Sequence, residues 1–230
     1  MTKKRITPSQ EDSRKRDSFF MQHALDLALK GRGKVSPNPL VGCVIVDVNG
    51  HRIGAGYHKK YGGAHAEVEA VQSVETPDAL IDATVYVTLE PCSHHGKTSP
   101  CADLLASLPI KRVVIAQKDP NPLVNGRGIE KLRAHGIDVS LGVLEQEAEQ
   151  LNEFFNHVQR FGRPFVTLKI AQTVDGFLTA ANGDSQWITG KAARKKVHEW
   201  RSYYDAIMIG RQTAMADNPK LTVRHVPVSY

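Results

Sequence analysis

From Asp17 to Lys30, the apolar residues Phe20, Met21, Ala24, Leu25 and Ala28 recur at the spacing of one helical face, and Gly31 with Gly33 closes the run. This predicts an opening helix. After the turn-rich Ser36-Pro37-Asn38-Pro39, apolar runs over 40–48 and 52–57 flank Asn49-Gly50, a dipeptide that tolerates the positive φ angles of a two-residue turn, so a β-hairpin should follow. Beyond it the spacing predicts helices over 64–74, 102–108 and 128–135, and strands over 84–89, 112–117 and 137–141. A longer amphipathic helix is expected over 145–160, stopped at Gly162. Strands that alternate with helices imply a sheet covered by helices, an α/β layer structure.

Gly162-Arg163-Pro164 marks the expected boundary, so a first domain over 17–162 follows a loose polar tail over 1–16. From 163 to 230 a second α/β unit should open with a strand over 165–171, a helix over 191–201 and a strand over 206–210. About 65 residues are few for a domain that must bury its own sheet, and this unit is expected to be incomplete.

Composition narrows the class only modestly. Hydrophobic residues make up 41% and charged residues 23%, which fits an ordinary globular protein and excludes fibrous or disordered extremes. No apolar run approaches the ~20 residues of a transmembrane helix. The N-terminus mixes both signs of charge without an apolar segment, unlike a signal or transit peptide. Thirty Lys and Arg against 24 Asp and Glu give +6, which favours a phosphorylated small substrate or, less specifically, nucleic acid. No basic block interleaved with aromatics singles out the latter. Three cysteines are too few, and odd in number, for a disulfide framework, so a reducing cytoplasm is the expected compartment.

The candidate chemistry lies in His65-Ala66-Glu67, at the start of a predicted helix, and in Pro91-Cys92 with Cys101, just past a predicted strand. One imidazole and two thiolates would leave the fourth place of a tetrahedral zinc open, as catalytic rather than structural sites do. Residues two apart on a helix point about 200° apart, so His65 and Glu67 should not share one ion from a helical middle. The metal is therefore expected at the helix N-terminus, with Glu67 moving protons in a hydrolytic deamination. Each residue alone has a blander reading: His65 as an ordinary histidine, Cys92 or Cys101 as a small buried hydrophobe, Cys43 as core packing. The general deaminase signature is Cys-x-x-Cys, whereas eight residues separate Cys92 from Cys101; His94 or His95 could then compete as ligands, and Glu69 less so.

At these residues the chain resembles the bifunctional riboflavin-biosynthesis deaminase/reductase family, from about Ser18 to Arg224. The likeness is carried by Pro37-Asn38-Pro39-Leu40-Val41-Gly42, His65-Ala66-Glu67-Val68, Leu89-Glu90-Pro91-Cys92-Ser93-His94-His95-Gly96 with Cys101, and Asp119-Pro120-Asn121-Pro122. The long intercysteine segment is itself a feature of that family. The resemblance implies a cytidine-deaminase-like three-layer α/β/α domain that deaminates 2,5-diamino-6-ribosylamino-pyrimidinone 5′-phosphate to the corresponding uracil. It implies zinc on His65, Cys92 and Cys101, with Glu67 as proton donor.

The second unit is similar to the start of the family's dihydrofolate-reductase-like α/β domain, which reduces the ribosyl group to ribityl with NADPH. Matching segments are Leu168-Lys169-Ile170-Ala171 with Asp175-Gly176, 185–189, Arg201, Ala216-Asp217-Asn218-Pro219 and Leu221-Thr222-Val223-Arg224. The resemblance implies NADP contacts at Ala171, Trp187, Thr213 and Asp217, and substrate contacts at Ser185, Arg201, Leu221 and Arg224. Two guanidinium groups suit a phosphate; without the resemblance each would read as surface charge. The chain stops soon after Arg224, so little or no reductase activity is expected. The expected partner is a phosphorylated pyrimidine rather than nucleic acid or membrane, and a homo-oligomer is compatible with the reading. Rivals are a nucleic-acid deaminase acting on tRNA adenosine and a noncatalytic protein with a structural zinc.

Overall fold

The structure, a computed structural model, describes residues 8–93, 99–122, 124–179 and 187–227. Helix α1 (Pro8–Leu29) leads into strands β1 (Gly42–Val46) and β2 (Arg52–Tyr57), then α2 (Ala66–Gln72), β3 (Thr84–Leu89), α3 (Cys101–Ala106), β4 (Arg112–Gln117), α4 (Arg127–Ala134) and β5 (Asp138–Leu141). Helices α5 (Glu145–Leu151) and α6 (Glu153–Phe161) follow. The five strands form one sheet in the order β2-β1-β3-β4-β5; β1 pairs antiparallel with β2 and β3, and β3-β4-β5 are parallel.

Successive side chains of a strand point to opposite faces, so a sheet buried on both sides reads as an unbroken apolar run. Strand β1, Gly-Cys-Val-Ile-Val, is buried throughout for that reason. Cys43, Ile45, Val85, Val87, Val113 and Ile115 join α2, α3 and α4 in one core through Ala66, Ala70, Leu105, Ile129 and Leu132. Val44, Val46, Tyr86, Val114 and Ala116 meet Phe20, Met21, Ala24 and Leu25 of α1 and Ala148 of α5 in the other. The result is the expected three-layer α/β/α arrangement, with Cys43 as core packing.

Helix α1 begins at Pro8 rather than Asp17, so the charged stretch read as a loose tail is helical over 8–16, with Lys15 paired to Glu11 one turn away. Further along, Asp17 accepts the Tyr86 hydroxyl at 3.0 Å and two guanidinium bonds from Arg112 at 2.9 and 2.8 Å, fixing α1 on β3 and β4. The helix expected over 145–160 is broken at Asn152, with φ −107° and ψ 26°. The cause is tertiary: Asn152 Oδ1 accepts the Leu40 N–H at 2.8 Å while its Nδ2 donates to the Leu40 carbonyl at 2.9 Å.

The chain divides into two compact units, Met1–Phe165 and Val166–Tyr230. In the second, α7 (Lys191–Arg201) and α8 (Arg211–Asp217) are present, but none of its described residues forms a strand. The strands expected over 165–171 and 206–210 are therefore absent. A strand persists only as one rail of a hydrogen-bonded ladder, and here Val166, Leu168 and Ile170 stand 79%, 81% and 56% exposed.

Candidate active site

Three short connections converge at one end of the sheet. Strands β3 and β4 are parallel with Leu89 opposite Gln117, so the segments leaving them, Glu90-Pro91-Cys92 and Asp119-Pro120-Asn121, emerge side by side. Open α/β sheets place their ligands at such carboxyl ends. Helix α2 packs on β2 so closely that a Cβ on Gly56 would lie 2.4 Å from the Ala70 nitrogen and 2.5 Å from the Ala66 carbonyl oxygen. That fit sets the α2 N-terminus at the same place. His65 caps α2 in extended backbone, φ −74° and ψ 161°, which turns its ring away from the helix while Glu67 stays on it.

His65 Nδ1 lies 3.6 Å from Cys92 Sγ and 3.3 Å from Cys101 Sγ, and the three ligand atoms all fall within 4.8 Å of one another. Zinc–sulfur bonds of about 2.3 Å and a zinc–nitrogen bond of about 2.0 Å at tetrahedral angles separate N from S by about 3.5 Å. The cluster fits a zinc ion in both donor chemistry and span. Cys101 opens α3 and its backbone N–H donates to Cys92 Sγ at 3.3 Å, a bond that favours negative sulfur.

Electrostatics agree with that division. A hydrogen bond from the Cys101 thiol holds Cys92 down to about 4. The same contact and burial push Cys101 upward. His65 is raised, first by its contact with Cys92. Glu67, 3% exposed, is pushed up to about 7 by burial and then by the Cys92 charge. A carboxyl so placed can both take and return a proton near neutrality.

His65, Glu67 and Cys92 share a cavity of about 340 Å³ with Asn38, His58, Glu90, Asp119, Asn121, Phe155 and Gln159. Sequence reasoning assigned no role to these last seven. The His58 Nδ1–H donates to the Ala64 carbonyl at 2.9 Å, which leaves Nε2 to accept from the Asn38 amide at 3.1 Å. Burial lowers the His58 pKa and favours this neutral form. Glu90, 3% exposed, accepts the backbone N–H groups of Gly126 (2.8 and 2.9 Å), Gly128 (3.0 Å), Asp119 (3.3 Å) and Ile129 (3.4 Å). Peptide dipoles at the start of α4 thus satisfy its charge. For Asn38, Glu90, Asp119 and Asn121 the only sequence signal was their place in the matched motifs, since Asn, Asp and Pro in short connections read first as turn formers; His58, Phe155 and Gln159 lie outside those motifs.

Glu69, weighed as a ligand, instead pairs with Lys59. His94 and His95 lie outside the described residues, as does Ser185. In the second unit, Arg201 donates to the Thr222 carbonyl at 3.3 Å and Arg224 to the Thr222 hydroxyl at 3.1 Å, so these two arginines are neighbours. Leu221 lies beside them in sequence, with φ 54°. Trp187 is 69% exposed, with the Arg194 guanidinium 4.2 Å from its ring centroid. Thr213 and Asp217 lie exposed on α8, and Ala171 is half-buried in the segment without strand pairing.

Sheet order, the His/Cys/Cys cluster and the buried carboxylate define a site of the zinc-binding cytidine-deaminase class, and residues 14–117 match the family described as the cytidine and deoxycytidylate deaminase zinc-binding region. Residues 164–229 match the RibD C-terminal domain. The riboflavin biosynthesis protein RibD of Actinobacillus pleuropneumoniae is 48% identical over 217 residues, covering 94% of this chain and 57% of that protein. That of Escherichia coli (strain K12) is 48% identical over 208 residues, covering 90% of this chain and 56% of that protein. The crystal structure of a diaminohydroxyphosphoribosylaminopyrimidine deaminase/5-amino-6-(5-phosphoribosylamino)uracil reductase from Thermotoga maritima superposes with a TM-score of 0.86 at 48% identity, covering 92% of this chain and 60% of that one. Over about nine tenths of its length the chain is similar to riboflavin-biosynthesis deaminase/reductases, and it spans less than two thirds of the length of these relatives.

Proposed function

We propose that the first unit carries out the deaminase step of riboflavin biosynthesis, converting 2,5-diamino-6-(5-phosphoribosylamino)pyrimidinone to 5-amino-6-(5-phosphoribosylamino)uracil with release of ammonia. The observation that carries the reading is the cluster of His65, Cys92 and Cys101 with Glu67 buried beside it. Zinc, when bound by these three side chains, supplies Lewis acidity that brings the pKa of water towards about 7. The chain's own residues do the rest. Glu67 takes a proton from water as its oxygen adds to the ring carbon bearing the amine, and delivers that proton to the adjacent ring nitrogen. It then passes the second proton of that water to the amine, the carbon–nitrogen bond breaks, and a carbonyl and ammonia remain. The amide of Asn38, held by the neutral ring of His58, lines the cavity where the heterocycle must lie, with a donor and an acceptor suited to the edge of a pyrimidinone.

A nucleic-acid deaminase is not favoured, because the similarity continues through residues 164–229, which match the RibD C-terminal domain. For the second unit the same match supports the assignment of Arg201, Leu221 and Arg224, with Ser185, to substrate, and of Ala171, Trp187, Thr213 and Asp217 to NADPH, in the reductive step. Ammonia release from the phosphoribosylated diaminopyrimidinone tests the deaminase reading. It should proceed with zinc-loaded protein, stop with a chelator and return with added zinc. Release that persists unchanged without metal would refute the reading.

A further inference from the structure

The reacting carbon must sit beside Glu67, so whatever the cavity recognises beyond the ring is read by walls that supply no cluster residue. Helix α6 is such a wall: Phe155 and Gln159, one turn apart and therefore on one face, both line the cavity. Two buried asparagines fix that face. Asn152 grips both backbone groups of Leu40, and Asn156 exchanges amide hydrogen bonds with Gln117 at 2.7 and 3.2 Å. Phe155 lies between these anchors, so its ring is held against the cavity by a helix that cannot easily rotate. Gln159 is half-buried, and among the described residues its side-chain amide has no hydrogen-bond partner in the protein.

We propose that Phe155 and Gln159 form a subsite for the sugar of the pyrimidine ligand, a specificity-determining contact remote from the reacting amine. The inference rests on the deaminase reading above. A free primary amide offers a donor and an acceptor together, which matches a hydroxyl group. An aromatic face packs against the C–H face of a sugar ring with little loss of side-chain freedom. An anion is the poorer fit for this wall: no Lys or Arg lines the cavity among the described residues, and a neutral amide supplies no charge.

The test uses the full chain, zinc-loaded and carrying Glu67→Gln so that ligands bind without turnover, titrated calorimetrically with three pyrimidinones. One is phosphoribosylated, one ribosylated without phosphate, and one is the bare triaminopyrimidinone. Adding Gln159→Ala should weaken both ribosylated ligands about 5- to 10-fold, the loss of roughly one hydrogen bond, and leave the bare ring within about twofold. Phe155→Leu should behave in the same direction, with an unchanged melting temperature separating a lost contact from a disturbed fold. Equal losses for all three ligands, losses confined to the phosphorylated one, or no loss at all would overturn the proposal. If none of the three binds the parent protein, both the subsite and the deaminase reading fail. Ammonia release by the unsubstituted chain with no sugar-dependent loss in the variants would sink the subsite alone.

Discussion

Glu67 and Glu90 are both acidic, both buried and both at the cavity, yet their surroundings give them opposite tasks. Glu67 is surrounded by desolvation and a negative sulfur, which favour a proton on it. Glu90 has backbone donors on both of its oxygens, which tie the end of β3 to the start of α4. Glu67→Gln keeps shape and burial but removes the proton carrier. We expect ammonia release to fall by about 10²- to 10⁴-fold, the usual worth of a positioned general acid–base, with zinc content and melting temperature retained. Parallel loss of zinc would reassign the residue to the metal shell. Glu90→Ala should instead strip the acceptor from several buried N–H groups and cost about 2–3 kcal/mol of stability, read from urea unfolding. The cluster residues were legible in the sequence because cysteines are few and His-x-Glu followed by Pro-Cys is a specific combination. The second carboxylate was not, because nothing in Leu-Glu-Pro-Cys tells which acid meets solvent and which meets peptide dipoles.

Strands β3 and β4 and helix α7 fall where hydrophobic spacing puts them, since each is bounded by residues that act locally. The break between α5 and α6 does not, because its cause, Leu40, lies 112 positions from Asn152. A side chain that satisfies a distant backbone outweighs the propensity of a continuous amphipathic run. Asn152→Ala should leave the Leu40 N–H and carbonyl unpaired and destabilise the fold by about 2 kcal/mol; an unchanged urea midpoint would show that the break has another origin. Helix α2 makes a sharper case. A methyl group on Gly56 cannot fit against the Ala66 and Ala70 backbone without displacing the helix that His65 caps. Gly56→Ala is therefore expected to weaken zinc binding about 10-fold or more, as loss of support behind a ligand does, measured by competition with a chelating dye. Equal affinity in the variant would mean that the helix start is set elsewhere.

The cluster, Glu67 and the cavity all lie within Met1–Phe165, which holds both hydrophobic cores. Such a unit should fold and bind zinc by itself. A chain ending after Phe165 is expected to retain zinc and ammonia release within a few-fold, whereas loss of both on truncation would mean that the second unit supports the site. That second unit was the least legible part. Its strands were expected from apolar runs, and β structure depends on partners that a run cannot specify. None of its described residues pairs in a sheet. The exposed Val166, Leu168 and Ile170 are the visible consequence. Among the described residues no helix is long and apolar enough to cross a membrane.

Everything proposed for the first unit depends on how His65, Cys92 and Cys101 hold their ion. Zinc-edge X-ray absorption on the purified, reduced protein measures this directly. The arrangement described predicts one zinc per chain with two sulfur neighbours at about 2.3 Å and nitrogen or oxygen neighbours at about 2.0 Å, and the sulfur signal halved by Cys92→Ser. Protein that takes up no stoichiometric zinc, or a shell without sulfur, would contradict it.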